Sequence, residues 1–162
     1  MKGNVLSVEK VMAAEPTTIF DVLADVGRHH LIDGSGMLQG PGADDPARLA
    51  PGTTFGMRMK LLVRYSTVNR VVEFAEGRRI AWKTGPEGFA GRLLAGRVWR
   101  YQLEPVEGGT LVRESWDITE DHQRFLLKLG GIYSRKTRRD MERTLNRLDA
   151  LVASSPSPTQ AT

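Results

Sequence analysis

The order of elements constrains this chain most. One short strand comes first, then a helix running into Ala24-Asp25-Val26-Gly27-Arg28-His29-His30, then several alternating strands. A single long amphipathic helix closes the sequence. An antiparallel sheet that curves around one terminal helix leaves a cavity between the two, and a binding or catalytic function would sit there.

The individual segments follow from periodicity. Residues 4–13 alternate loosely and predict a strand. Pro16 suits the first turn of a helix, where its missing N–H costs nothing, and Ile19, Phe20, Leu23 and Val26 give that helix one apolar stripe ending near Gly27. From Asp33 to Gly52 the chain is dense in glycine and proline and predicts an irregular loop with a short strand at 37–39. Phe55, Met57, Met59 and Leu61 alternate with Gly56, Arg58 and Lys60, a strand with one buried face; residues 65–75 and 79–84 predict the next two strands. A three-residue turn at Glu76-Gly77-Arg78 sets Phe74 opposite Ile80 and Val72 opposite Trp82. Arg70, of the same parity as Val72 and Phe74, then points inward too.

The glycine-rich stretch 85–96 reads as a mobile hairpin tip or a flap. The following hairpin is read with its turn at Gly108-Gly109, which pairs Leu103 with Glu114, Tyr101 with Trp116 and Trp99 with Ile118. On that reading Trp99, Tyr101, Leu103, Val112, Trp116 and Ile118 share one face with Glu114 among them. Phe125 to Leu129 is an apolar segment broken by Gly130-Gly131. Tyr133, Thr137, Met141, Leu145, Leu148 and Val152 then recur at helical spacing over about five turns.

Composition excludes some chemistry. The chain has 162 residues and no cysteine, so disulfides and thiolate chemistry are absent. Its early charged residues do not form a signal-peptide core, no apolar run approaches the roughly 20 residues of a bilayer span, and a cytoplasmic protein is expected. The net charge of +4 is unevenly spread. The terminal helix carries Arg135, Lys136, Arg138, Arg139, Arg143 and Arg147 against Asp140, Glu142 and Asp149. A solvated face with intrahelical ion pairs is the plainer reading of it; attraction for phosphate or anionic lipid is the sharper one.

Several segments together resemble the START/Bet v 1-like superfamily (SRPBCC), in particular its bacterial polyketide cyclase/dehydrase and lipid-transport group. They are Ala14-Glu15-Pro16 with Ile19–Asp25, Arg28–Gly36, Val72-Glu73-Phe74, Arg79-Ile80-Ala81-Trp82, Trp99–Pro105, Gly108-Gly109-Thr110 and Arg139–Leu145. The resemblance covers about residues 3–153 and departs at Val26, where the group usually has proline. It implies an α+β helix-grip fold: a seven-stranded curved antiparallel sheet around a long C-terminal helix, with two short helices after strand 1. Residues 1–153 are expected to form one ligand-binding domain and 154–162 a disordered tail. The superfamily includes carriers, receptors and cyclases, so fold leaves function open.

Glu114 is the sharpest candidate residue, a carboxylate among aromatic side chains that would suit acid–base work or a polar ligand contact. Pairing with Arg70 inside the sheet is the structural alternative for both. Met57, Met59, Arg70, Trp82, Trp99, Tyr101, Glu114, Trp116, Tyr133 and Met141 are the expected ligand-binding residues, with Glu114 the catalytic candidate. His29, His30 and Asp33 are read as loop residues facing solvent, with His30 or Asp33 at the cavity mouth. No third ligand stands near them to make a metal site, and no phosphate loop, dinucleotide motif or Ser–His–Asp pattern calls for a cofactor.

The expected function is binding, or transport, of a small hydrophobic or amphipathic molecule. The alternatives are an aromatase/cyclase-type enzyme and a regulatory protein using the basic helix. No nucleic-acid partner is expected, because aromatic residues do not interleave with the basic ones. Contact with anionic membranes would be weak, and the chain is expected to be a monomer or homodimer.

Overall fold

The computed structural model describes residues 3–42, 44–60, 62–86, 96–122, 124–125 and 132–154. The elements run β1 (Val5–Met12), α1 (Pro16–Ala24), a 3-10 turn (Val26–Arg28), α2 (His29–Ile32), β2 (Leu38–Gly40), β3 (Thr54–Lys60), β4 (Arg64–Ala75), β5 (Arg79–Pro86), β6 (Arg97–Val106), β7 (Gly109–Asp117) and α3 (Ile132–Ser154). The seven strands form one antiparallel sheet in the order β1-β7-β6-β5-β4-β3-β2, and α3 packs against β1, β7 and the two short helices. This is the helix-grip architecture.

Period-2 patterning carries most of the sheet. Leu6, Val8 and Met12 of β1, Tyr101 and Leu103 of β6, and Val112, Glu114 and Trp116 of β7 are buried on one face. Met141, Leu145, Leu148 and Val152 of α3 close over that face at spacings of four, three and four, one helical stripe. The loop after α2 is fastened to α3 at Gly34. A Cβ there would stand 2.0 Å from the Asp140 carbonyl oxygen and 2.6 Å from the Thr144 nitrogen. Bare backbone thus lies on bare backbone, and the Gly34 N–H donates to Thr144 Oγ1 at 3.0 Å. Arg147 of α3 also donates to the Asp33 carbonyl oxygen.

Helix α1 stops at Ala24, short of the expected end near Gly27. Asp25 is extended (φ −90°, ψ 105°), and its carboxylate accepts from the Gly27 N–H at 2.9 Å. The freed Ala24 carbonyl accepts from the Leu49 N–H at 2.7 Å, so the long loop returns to cap the helix.

Two registers differ from the sequence reading, with opposite consequences. The β6–β7 turn centres one residue earlier, pairing Val106 with Gly109, so Tyr101 faces Glu114, Leu103 faces Val112 and Trp99 faces Trp116. Moving a turn centre by one residue shifts the pairing by two, and every side chain keeps its face. On β4 the pairing shifts by one. Phe74 opposes Ile80 as expected, but a bulge between Val71 and Glu73 sets Val71, not Val72, opposite Trp82. One extra residue inverts the faces of the strand beyond it. Val71 is therefore buried, Val72 is 48% exposed, Arg70 points to solvent and Asn69 takes the interior.

The flap expected at 85–96 falls almost wholly outside the described residues. So do most of the segment 125–133, the side chain of Tyr133 and the tail beyond Ser154.

Candidate functional site

The inner face of β5, β6 and β7 is built from cross-strand rows. Trp82 opposes Trp99, Trp99 opposes Trp116, and Trp116 opposes Leu6 of β1. The next row inward is Ile80, Tyr101, Glu114 and Val8. Glu114 is thus placed by its strand between an aromatic and an aliphatic neighbour, only 2% exposed. The Tyr101 hydroxyl donates to Glu114 Oε1 at 2.9 Å, while Oε2 is buried without a hydrogen-bond partner among the described residues.

Burial pushes the Glu114 carboxyl up to about 8. The Tyr101 hydrogen bond opposes that shift, and the charge of Asp33 adds to it. At neutral pH the carboxyl holds its proton and can donate as well as accept. Burial, and then the neighbouring carboxyl, likewise drive the Tyr101 hydroxyl well above its ordinary value, so it stays a neutral donor.

A second buried polar group lies along the same face. His29 stacks on Trp82 (ring centroids 5.2 Å apart) and meets Phe55 edge-on at 5.8 Å; Trp82 in turn lies 5.6 Å from Tyr101. The row Phe55–His29–Trp82–Tyr101 therefore ends at Glu114. His29 Nε2 sits 2.8 Å from the Leu23 carbonyl oxygen, which requires the Nε2–H tautomer, and Nδ1 is left as a buried acceptor without a partner among the described residues. Desolvation holds the ring below its ordinary value, hence neutral.

The expected loop position of His29 is therefore corrected: it is a core residue, whereas His30 beside it is exposed. The signal was its spacing, since His29 and the buried Ile32 are three apart on α2 and share a face. Asp33 is half-buried behind α2. Its carboxylate accepts from Ser35 N at 3.0 Å, Ser35 Oγ at 2.7 Å and Leu38 N at 2.8 Å, which fixes the turn into β2.

The other sequence candidates divide. Trp82, Tyr101, Glu114 and Trp116 are brought together, Trp99 lies beside Trp116 (6.1 Å between centroids), and Met141 is in the core beneath α3. Met57 packs partly against the core. Met59 stands at the far end of β3, in a cleft with Arg58, Arg64 and Tyr65. Arg70 is not in the site, because the β4 bulge turns it outward, and it makes no pair with Glu114. Asn69 stands in its place, accepting from Thr84 Oγ1 at 2.7 Å. On α3, Lys136 and Arg143 both pair with Asp140, the intrahelical arrangement expected of that face.

Fold and site together define a helix-grip protein with an aromatic inner face and a buried, uncharged carboxyl at Glu114. The chain belongs to the polyketide cyclase/dehydrase and lipid transport family, which it matches over residues 5–153, within the START/Bet v 1-like superfamily. It is 30% identical over 108 residues to an uncharacterized protein of Mycobacterium tuberculosis; the match takes in 65% of this chain and spans 44% of that relative's length. Among solved structures it resembles a protein from Rhodobacter sphaeroides (TM-score 0.71, 15% identity, 94% of each chain). A second is a protein from Chromobacterium violaceum (0.66, 16%, 94% of this chain and 99% of that one). A third is a polyketide cyclase-like protein from Corynebacterium glutamicum (0.52, 22%, 94% and 86%). At these identities the likeness is one of fold. Among the described residues no helix is long and apolar enough to cross a membrane.

Proposed function

We propose that this protein binds a small hydrophobic or amphipathic molecule between the sheet and α3, with the uncharged Glu114 carboxyl as its polar contact. The observation that carries this reading is Glu114 Oε2: a buried hydrogen-bonding atom, aligned by Tyr101 and left without a partner among the described residues. Leaving such a group unsatisfied costs about 1–3 kcal/mol, which a ligand carbonyl or hydroxyl would recover. Trp82, Trp99, Trp116 and Met141 would flank the ligand, whose own apolar surface gains about 25 cal/mol per Å2 removed from water. A protonated carboxyl at one end of the aromatic row and a neutral imidazole acceptor within it favour an uncharged ligand over a fatty-acid anion. Carriage of such a ligand is in keeping with the family.

The test is quenching of tryptophan fluorescence by a panel of apolar ketones, alcohols and carboxylates at neutral pH. The reading expects the neutral compounds to bind, Glu114→Gln, whose neutral amide also donates and accepts, to hold them comparably, and Glu114→Leu to weaken them about tenfold, the equivalent of one hydrogen bond. Equal affinity for the carboxylates, or unchanged affinity in Glu114→Leu, would remove Glu114 from the site.

A second reading, a cyclase- or dehydratase-type enzyme, is favoured by one specific observation. A carboxyl held at about 8 can both give and take a proton near neutral pH. Turnover of a polyketide-like substrate that is lost in Glu114→Gln while binding persists would select it.

A further inference from the structure

The β3–β4 hairpin ends in a surface that the packing of the fold does not use. Leu62 is 96% exposed, Val63 70% and Tyr65 40%. Around them stand the exposed cations Arg58, Lys60 and Arg64, with the outward-turned Arg70 further along β4. None of the four has an ion-pair partner among the described residues, whereas Arg79, Lys83, Arg100 and Arg113 elsewhere on the sheet are each paired with a carboxylate. Residues 54–70 contain no Asp or Glu. Lys60 stands directly opposite Arg64 in the ladder, a like-charge cross-strand pair that is unfavourable unless an anion lies against it. Beside this pair is a cleft of about 410 Å3 lined by Gln39, Arg58, Met59, Arg64, Tyr65 and Ser66, rich in donors and without a carboxylate.

We infer that this hairpin tip docks on an anionic lipid surface. Leu62 and Val63 enter the acyl boundary, Tyr65 lies at the interface, and Arg58, Lys60 and Arg64 meet headgroup phosphates, one of them seated in the cleft. Charge selects this partner over a second copy of the chain, since an isologous contact through this tip would set cations against cations. A free phosphate would answer the cleft but would leave Leu62 and Val63 in water. Docking also presents the inner-face residues Met59, Met57 and Phe55, which lead in that order from the tip to the core. The inference stands on the hairpin alone and does not depend on what the interior binds.

The experiment is co-sedimentation of the full chain with phosphatidylcholine vesicles, with and without phosphatidylglycerol, at low and high salt. Three double variants accompany it: Leu62→Asp with Val63→Asp, Arg58→Gln with Arg64→Gln, and Arg135→Gln with Arg139→Gln on the exposed face of α3. All these side chains are exposed, and circular dichroism checks each fold. The expected result is salt-sensitive binding to the anionic vesicles only, weakened about tenfold or more by either tip variant and unchanged by the α3 variant. Three outcomes overturn the inference: no binding to anionic vesicles, binding that survives both tip variants, or loss confined to the α3 variant. A dimer broken by Leu62→Asp with Val63→Asp, or saturable inorganic phosphate binding, in a chain that ignores vesicles would overturn it equally, assigning the tip to a second copy or to a phosphate site.

Discussion

Glu114 is held uncharged by its surroundings, and that leaves a measurable signature. Its folded value is about 8 against an ordinary 4.5. Below pH 4.5 the folded and unfolded chains both carry the proton, and the group costs nothing. Between 4.5 and 8 only the folded chain retains it, so stability declines as pH rises, by up to about 1.4 kcal/mol per unit. Above 8 the deficit is constant. Glu114→Gln keeps an acceptor for Tyr101 but cannot ionise, so above pH 8 it should melt higher than the parent. A lower melting temperature there would show that the carboxyl is not desolvated. Tyr101→Phe removes the hydroxyl that opposes the shift. It should cost about 1–3 kcal/mol and push the alkaline decline to still higher pH, checked by urea titration across pH.

Among the elements, α3 and the loop behind α2 depend on one close approach. Any side chain at Gly34 would collide with the Asp140 carbonyl and the Thr144 nitrogen, both backbone atoms that cannot rotate away. Gly34→Ala should therefore destabilise by about 2–4 kcal/mol by lifting the loop from the helix, in contrast to Gly36→Ala, where a Cβ meets nothing within 4 Å but φ is +70°. The β4 bulge is the other device at this scale. Periodicity placed Arg70 inside because it assumes two residues per repeat along the whole strand. A single added residue at Val72 reverses the parity, and no residue type around it announces the insertion. The β6–β7 turn was also read one residue late, yet Glu114 kept its face, because that error moved the pairing by an even number.

For the molecule as a whole, three groups among the described residues shape the pH profile between acid and pH 8, and they pull in different directions. Glu73, lowered by its hydrogen bonds to Arg100, contributes stability above its ordinary 4.5 that is lost as pH falls. His29, lowered by burial, makes stability rise with pH up to 6.5, because the unfolded chain binds the extra proton. Glu114 acts oppositely from 4.5 to 8. The expected curve climbs from acid, changes little where His29 and Glu114 oppose, and falls between 6.5 and 8 where Glu114 acts alone. Thermal melts across pH check this; a curve still rising through pH 8 would exclude a protonated Glu114.

The sequence by itself determined what depends on period and element order: the alternating strands, the long terminal helix, and the aromatic face on which Trp82, Tyr101, Glu114 and Trp116 meet. Those features need only local alternation and the helical repeat, and both tolerate small errors of register. Tertiary structure decided the rest. The bulge exchanged Arg70 for Asn69, packing against Trp82 and Phe55 drew His29 rather than His30 inside, and Glu114 found Tyr101 instead of an arginine. Each of these depends on which distant backbone comes to lie alongside, and the polar partners of a buried group are set only when the chain closes around it.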